Sequence, residues 1–226
     1  MTRRMIDLSH PLEPDTPPWP GNAPVQFKVL SAIPPERGPG DRGEAGAPVL
    51  CNKSEFLVSN HTGTHMDAPA HFYNGVLTID QVPLDQCIGR AVLVDVRRIG
   101  RRGEIKPGDF VPREKEIKAA GKVVFWTGWS SRWGADDYFV DFPVLGEPAA
   151  RWLVERGVHL VGLDTASPDR DPHAVHYILL AANMVIVENL RGLEQIEQDT
   201  FDLIVFPLPL RGLEASPVRA IAALTG

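Results

Sequence analysis

The sequence predicts an α/β fold built on a mixed β-sheet. Several short, nearly continuous runs of β-branched and apolar residues are typical of strands that are buried on both faces. Helical patterns lie between these runs, bounded by proline at a first turn or glycine just past the end. Strands and helices intermingle along the chain, and this favours a mixed sheet. No segment indicates a domain boundary, so we expect one domain spanning 1–226.

The individual elements follow from these patterns. Strands are predicted at Met5–Leu8, Val25–Val29, Phe56–Val58, Ala91–Val96, Lys122–Thr127, Val158–Leu163, Met184–Glu188 and Leu203–Pro207. Helices are predicted at Glu114–Ala120, Ala149–Arg156 and His176–Ala182, and from Ser216 to Leu224. The proline- and glycine-rich stretch from Pro11 to Gly46 is predicted to be loop around its one strand. Its part from Glu36 to Gly46 lacks apolar residues, so disorder is the alternative there.

Composition narrows the classes of protein that remain. The chain has 226 residues, 43% of them apolar and 23% charged, which suits a soluble domain with a sizeable core. A net charge of −6 with scattered Lys and Arg argues against nucleic acid, and no apolar run reaches the length of a membrane span. The polar N-terminus lacks a signal-peptide core, so a cytoplasmic location is expected. Cys51 and Cys87 have no metal or redox spacing and are expected to be reduced thiols.

One stretch, His-Thr-Gly-Thr-His-Met-Asp-Ala-Pro-Ala-His, carries most of the functional information. It contains His61, His65, Asp67 and His71, although the whole chain has only seven histidines. Imidazole and carboxylate together suit zinc, manganese or iron. The Thr-Gly-Thr between the first two histidines disfavours a helix, so we expect a tight loop in which Gly63 lets His61 and His65 converge. The alternative is a polar loop whose histidines cap backbone groups.

Two imidazoles and one carboxylate leave coordination positions open, as catalytic metal sites do. Holding a second ion needs further ligands, and the candidates lie downstream, in the stretch Val161–Asp169 and at His173, His176 and Glu188. Glu188 ends an apolar strand, from which a sheet can project a catalytic group, or else it is a surface carboxylate. The polar residues of Val161–Asp169 either orient ligands or form a turn. His10 and His159 are interpreted as structural.

Aromatic residues are candidates for the wall of a pocket against a planar substrate. These candidates are Trp19, Phe72, Tyr73, Trp126 and Trp129. Trp19 is the strongest of them, because a large apolar side chain in a proline-rich loop has no evident core to join. Trp126 is better interpreted as core, because it continues an apolar strand pattern.

The chain resembles the cyclase-like metal hydrolases, the family that contains bacterial kynurenine formamidase and isatin hydrolase. The histidine stretch, continued by Phe72, matches the signature of this family. The resemblance spans nearly the whole chain and includes Trp19-Pro20-Gly21, Val82–Asp85, Gly89, Gly162–Thr165, the pair His176 and Glu188, and Ala215–Ala220. The first and last of these elements favour the kynurenine formamidase branch.

This resemblance implies a pair of metal ions. His61, His65 and Asp67 would hold the first ion, and a bridging Asp67 with His176 and Glu188 would hold the second. His173 is an alternative to His176. Two zinc ions are implied in the formamidase branch and manganese in the isatin hydrolase branch. The implied fold is a swivelling β/β/α domain, assembled as a homodimer or homotetramer.

Metal-assisted hydrolysis of an amide is a reaction that these residues could carry out. A divalent ion lowers the pKa of a bound water to near neutrality and polarises an amide carbonyl. His71 resembles the acid/base histidine of the family, and its ordinary pKa near 6.5 suits the transfer of a proton from water to the leaving amine. The alternative role of His71 is that of a fourth metal ligand.

The sequence therefore predicts a metal-dependent hydrolase of C–N bonds that acts on a small aromatic amide. The leading hypothesis is an arylformamidase of tryptophan catabolism, which hydrolyses N-formylkynurenine to kynurenine and formate through metal-activated water. The first alternative is an isatin-type cyclic amide or imide hydrolase, and the second is a family member acting on a non-aromatic ester, amide or lactone. A non-catalytic binding protein with a closed four-ligand zinc site is the alternative from another class.

Overall fold

A mixed sheet that closes into a barrel organises the chain. The computed structural model describes residues 4–39 and 50–224, so the 40–46 part of the predicted loop lies outside the described residues. The order of hydrogen-bonded strands in the main sheet is β1 (Arg4–Asp7), β12 (Ala215–Leu224), β11 (Thr200–Pro207), β5 (Ile88–Asp95), β7 (Lys122–Trp126), β9 (Leu160–Leu163), β10 (Val185–Glu188) and β4 (His65–Asp67), and β4 also pairs with β12. This last pairing closes the seven strands from β12 to β4 into a ring, and β1 adds to the outside of β12.

The described strands fall into three sheets. A hairpin of β2 (Gln26–Ser31) and β3 (Lys53–Leu57) and a short pair of β6 (Glu104–Ile105) and β8 (Val144–Leu145) complete the set. The neighbours β5-β7-β9-β10 run parallel, while the other pairs of the main sheet are antiparallel.

Alternation along the strands builds two cores, one on each side of the sheet. In β5, Ala91 and Leu93 pack with the cluster that fills the barrel, whereas Val92 and Val94 pack with a second cluster on the other face. This second cluster lies under three helices, α1 (Glu114–Ala120), α2 (Glu147–Glu155) and α3 (Ala174–Ala181). Strands β7, β9 and β10 are covered on both faces, so their side chains are apolar at nearly every position, as the sequence predicted.

Most predicted elements are confirmed with shifts of a few residues, but the C-terminal helix is wrong. The segment Ala215–Leu224 is strand β12, which pairs with both β11 and β1. Its many alanines favour a helix locally, and tertiary pairing overrides that preference. Buried Ala220, Ala222 and Ala223 suit this strand, because small side chains let neighbouring layers approach closely.

The described residues contain no helix long and apolar enough to cross a bilayer, and both cysteines are free thiols.

The hairpin of β2 and β3 is separate from the main sheet, so among the described residues the predicted strand at Phe56–Val58 pairs with β2 and not with the barrel. Phe27 lies opposite Phe56 in its ladder, and Val29 follows two residues along, so these three side chains share one face. All three are exposed. Lys28 and Glu55, which pair across the ladder, occupy the other face.

Candidate metal centre

The site is built where β4 and β10 meet. His65 and Asp67 point to one face of β4, whereas Met66 points to the other face and joins the barrel core. Glu188, the last residue of β10, lies directly opposite His65 in the ladder. The strand at His65–Asp67 follows the predicted loop directly, and its two-residue period places the imidazole and the carboxylate side by side.

The turn before β4 is held in place by hydrogen bonds to the end of β10. Gly63 has a φ of +65°, and a Cβ there would lie 2.7 Å from the Cδ2 atom of Leu12. The side chain of Asn189 donates to the Gly63 carbonyl, and the Thr64 hydroxyl donates to the Asn189 carbonyl. The glycine therefore allows the tight turn that the sequence predicted, and the turn brings His61 back over β4.

His61 and His65 approach Asp67 from two sides. His61 Nδ1 lies 2.9 Å from Asp67 Oδ1, and His65 Nε2 lies 3.5 Å from the same oxygen. His65 Nε2 is also 3.1 Å from Glu188 Oε2, while its Nδ1 faces the Gly63 carbonyl at 3.0 Å. On its outer side, His61 Nε2 lies 3.2 Å from Glu214 Oε1.

The helix α3 brings His176 to the opposite side of the same cluster. Its Nε2 lies 3.4 Å from Glu188 Oε1 and 3.9 Å from Asp67 Oδ2. The Phe72 ring stacks on the imidazole, with 4.7 Å between centroids and 16° between planes. Phe72 therefore packs directly against a candidate ligand as well as facing the cavity.

His71 ends a short 3₁₀ turn, Pro69–His71, which follows β4 directly. Its ring centroid lies 4.2 Å from that of His61 and 5.8 Å from that of His176. Ligand atoms of His61, Asp67 and His71 lie close enough together to hold one ion, and so do those of His65, Asp67 and Glu188. Both sets share Asp67, and the first set keeps open whether His71 is a ligand or an acid/base group.

The side chains present fit a divalent cation. Both carboxylate oxygens of Asp67 and the Nε2 atom of His65 are buried, and among the described residues their contacts of 2.9 to 3.9 Å with neighbouring imidazoles and carboxylates lack hydrogen-bond geometry. Buried polar atoms are nearly always paired, and an unpaired buried carboxylate is especially costly. A set of nitrogen and oxygen donors that converges in this way would be satisfied by a metal ion, although it does not select among zinc, manganese and related metals.

The electrostatics of the cluster favour protons on the imidazoles when no metal is bound. Burial opposes the charged form of His65, but the charges of Asp67 and Glu188 outweigh it and raise the pKa to about 9. Burial likewise opposes charge on His176, but its hydrogen bonds with Asp169 and Glu188 raise the pKa to about 10. For His71, burial dominates and lowers the pKa.

A cavity opens directly above the cluster. Its volume is about 260 Å³, a size suited to a small molecule. Trp19 and Phe139 form one wall, with their rings in edge-to-face contact at 5.6 Å. Phe72 and the imidazoles of the cluster also line the cavity, together with the polar residues Asn22, Ser167, His173 and Asn189.

The sequence identified some of these lining residues and missed others. Trp19 and Phe72 lie at the cavity as expected. Trp129 is instead buried and donates its indole N–H to the carbonyl of Tyr138, and Trp126 packs against the barrel core as interpreted. Phe139 was missed, because it lies in an irregular segment whose pattern gives no indication of where it folds.

Some residues of the stretch Val161–Asp169 form a turn, and others lie at the site. Asp164 accepts hydrogen bonds from the backbone N–H groups of Thr127 and Gly128, so it fixes the turn after β7. Burial raises the pKa of this carboxyl to about 6 despite these bonds. Ser167 lies at the cavity, and Asp169 lies behind His176.

His10 stacks on Trp133, and His159 lies 2.9 Å from the ammonium of Lys122, so both have structural contacts as interpreted.

A closed mixed barrel with a buried histidine–carboxylate cluster beside a small-molecule cavity defines a candidate metal-dependent hydrolase. The family model described as "Putative cyclase" matches residues 6–170. The chain therefore belongs to the cyclase family of metal-dependent hydrolases, which confirms the resemblance read from the histidine motif.

The chain is similar to kynurenine formamidases in sequence and to isatin hydrolases in structure. It is 32% identical to kynurenine formamidase of Bordetella petrii, with 97% of each chain covered. It is 29% identical to kynurenine formamidase of Bacillus anthracis, again over 97% of each. Among solved structures, it matches isatin hydrolase A of Labrenzia aggregata bound to benzyl benzoate with a TM-score of 0.81 and 28% identity, covering 99% of this chain and 94% of that one.

Metal binding at this centre should release protons and strengthen as the pH rises. The raised pKa values of His65 and His176 mean that both rings are protonated at neutral pH in the metal-free protein, so a cation must displace these protons. We expect zinc affinity to increase by about tenfold per pH unit for each proton displaced. Isothermal titration in buffers of different ionisation enthalpy measures the release. Zinc binding without proton release between about pH 6 and about pH 8 would contradict this prediction.

Proposed function

We propose that this cyclase-family hydrolase is a metal-dependent amidohydrolase acting on aryl amides, and specifically an arylformamidase that converts N-formylkynurenine to kynurenine and formate. The observation that carries the proposal is the buried carboxylate of Asp67, on which three imidazoles converge at the floor of a cavity with aromatic walls. Relatives named kynurenine formamidase, 29 to 32% identical over almost the whole chain, support the substrate. We also propose that residues 1–226 form a single domain with the swivelling β/β/α fold.

The proposed metal ligands are those of the sequence hypothesis. His61, His65 and Asp67 would hold one ion, and Asp67, His176 and Glu188 would hold a second. All five contribute atoms to one network of close contacts, in which Asp67 Oδ1 faces the first two histidines and Oδ2 faces His176. Bound there, zinc or manganese would supply Lewis acidity toward the amide carbonyl and toward water.

His71 is the proposed acid/base group. It is less buried than His65, and its ring lies at the cavity beside His61. Burial lowers its pKa, so the ring is neutral near pH 7 and can accept a proton from water. The same nitrogen can return this proton to the leaving amine, because the neutral amine product needs it.

The walls of the cavity suit an aromatic ring. Trp19 and Phe139 meet edge to face in the wall, and Phe72, which stacks on His176, also lines the cavity. A planar aryl group can pack between such surfaces while a formamide group on it reaches the metal ligands below. A cyclic aryl amide such as isatin has the same shape, and the structural likeness to isatin hydrolase A favours it as the second candidate substrate.

A substrate comparison tests the proposal. Zinc- or manganese-loaded protein should hydrolyse N-formylkynurenine faster than isatin and faster than a non-aromatic lactone, and a chelator should abolish the activity. Asp67→Asn should abolish turnover and lower the bound metal, because it removes an anion shared by both proposed ion sites. Asp199→Asn, at a carboxylate that is 83% exposed, is the matched control and should behave as the native chain.

Other outcomes of this comparison have defined meanings. Faster turnover of isatin would replace the arylformamidase proposal with the cyclic amide alternative. No turnover of any substrate by protein with full metal content would favour the non-catalytic binding protein.

Replacing His71 separates its two possible roles. His71→Ala should keep the metal and lose about a hundredfold or more in rate, as expected when an acid/base group is removed. Metal content by atomic emission and kcat with N-formylkynurenine are the two measurements. Loss of metal together with activity would instead make His71 a ligand.

Self-association is the remaining part of the proposal. The exposed apolar face of the β2–β3 hairpin presents Phe27, Val29 and Phe56, which are 51%, 71% and 65% exposed. An isolated two-stranded hairpin is at best marginally stable in water, so a further surface covering this face would stabilise it. We propose that a second copy of the chain covers it in a symmetric homodimer, the smaller of the two predicted assemblies, since one patch can then serve both subunits.

Light scattering on purified protein tests this assembly. The native chain should be a dimer, and Phe56→Ser should shift it toward monomer. Leu57→Ser, on the opposite face of the same strand and 58% exposed, is the matched control and should remain dimeric. A monomeric native chain would refute the proposed interface.

A further inference from the structure

A buried carboxylate outside the proposed ligand set stands directly behind His176. Asp169 lies in the loop between β9 and α3 and is 5% exposed. Its Oδ1 atom is 2.7 Å from His176 Nδ1 and 3.1 Å from His173 Nδ1. The sequence placed Asp169 only within a stretch of candidate ligands, and nothing in the pattern indicated this contact.

The second oxygen of Asp169 anchors the start of α3. Oδ2 accepts the backbone N–H of Val175 at 2.7 Å and that of His176 at 3.0 Å. These two N–H groups belong to the first turn of the helix, where no intrahelical partner exists for them. Because a backbone N–H can only donate, the position of Oδ2 must always be occupied by an acceptor.

This anchoring determines which ring nitrogen of His176 carries the proton when the ring is neutral. With Oδ2 fixed on the backbone, Oδ1 faces His176 Nδ1, and a carboxylate oxygen requires a donor there. The neutral ring must therefore carry its proton on Nδ1. Its Nε2 atom then presents a lone pair toward Glu188 Oε1, 3.4 Å away, and Asp67 Oδ2.

We propose that Asp169 is a positioning residue that locks His176 in its metal-binding tautomer and orientation, using the same side chain that anchors α3. The inference rests on the proposed function, because it takes His176 as a metal ligand. Partners of this kind behind a ligating histidine raise its basicity, and their loss costs about 10- to 100-fold in metal affinity.

The other buried histidine of the cluster is oriented by a different acceptor. His65 Nδ1 faces the Gly63 carbonyl, which is also an obligate acceptor. On the strand side of the site, a backbone carbonyl supplies this acceptor. His176 instead lies on a helix, whose carbonyls accept hydrogen bonds from N–H groups of the same helix. A side chain has to supply the acceptor there, and Asp169 does so.

A rival role for Asp169 is that of a direct ligand. Asp169, His173 and His176 could hold an ion among themselves by distance alone. That arrangement would use His176 Nδ1 as the donor atom and would turn Nε2 of the same ring into an N–H beside Glu188. Four hydrogen-bond donors already surround the two oxygens of Asp169, which argues against it.

Asp169→Asn tests the positioning role with little change in shape. The amide oxygen must take the place of Oδ2 to satisfy the backbone N–H groups, which puts the NH₂ group opposite His176 Nδ1. Nδ1 then becomes an acceptor and the proton moves to Nε2, the atom needed for the metal. We expect zinc affinity, measured by competition with a chromophoric chelator, to fall about 10- to 100-fold while the helical circular dichroism is retained.

Asp171→Asn is the matched control, because this exposed carboxylate lies two residues away in the same loop. It should bind zinc within about twofold of the native chain. Native affinity in a folded Asp169→Asn protein would overturn the positioning role. Failure of the native chain itself to bind zinc would instead overturn the proposed function, so the two failures are distinguishable.

A measurement on the native chain keeps the inference testable if Asp169→Asn does not fold. In zinc-loaded protein, the imidazole ¹⁵N spectrum should show the His176 proton on Nδ1 and the metal on Nε2. A proton on Nε2 with the metal on Nδ1 would overturn the positioning role and would favour the site formed by Asp169, His173 and His176.

Discussion

The buried carboxylate of Asp67 is the constraint on which the rest of the site depends. It is 1% exposed, and neither oxygen has a hydrogen bond among the described residues. The cost of burying an unpaired carboxylate is several kcal/mol, so the surrounding structure has to supply positive charge. Imidazoles converge on it from three elements, the turn before β4, the strand itself and α3. Protons on these rings and a divalent cation are alternative sources of the same positive charge.

The barrel holds this carboxylate in place through its closing strand. Asp67 lies opposite Ile186 of β10 on one side and opposite Ala215 of β12 on the other. The strand that carries the cluster is therefore the strand that completes the ring, and moving Asp67 would require opening the barrel. Such a rigid floor suits catalysis, because the charged groups need no rearrangement when a substrate arrives.

The sequence predicted which residues meet at the site better than it predicted the architecture that brings them together. The histidine motif identified the residues that meet at the floor. These residues are close together in the sequence, and histidine and aspartate side chains are seldom needed for the packing of a core. Barrel closure was not predicted, since β12 pairs with β4 across about 150 residues and its alanines locally favour a helix. Phe139 and the contact of Asp169 with His176 were missed for a related reason. Both depend on where irregular segments fold, which no periodic pattern records.

Reaction class and substrate choice are therefore set by different parts of the chain. In the proposed function, the cluster on β4, β10 and α3 would act in the same way on any amide that reaches it. The walls that distinguish one substrate from another, Trp19 and Phe139, come from two irregular segments and touch each other through a single edge-to-face contact. Such a contact contributes only about 0.5–1.5 kcal/mol beyond burial, so small changes in either segment can reshape the cavity without disturbing the metal ligands. In the proposed function, an arylformamide and a cyclic aryl amide would therefore use the same floor, and the choice between them would depend on these walls.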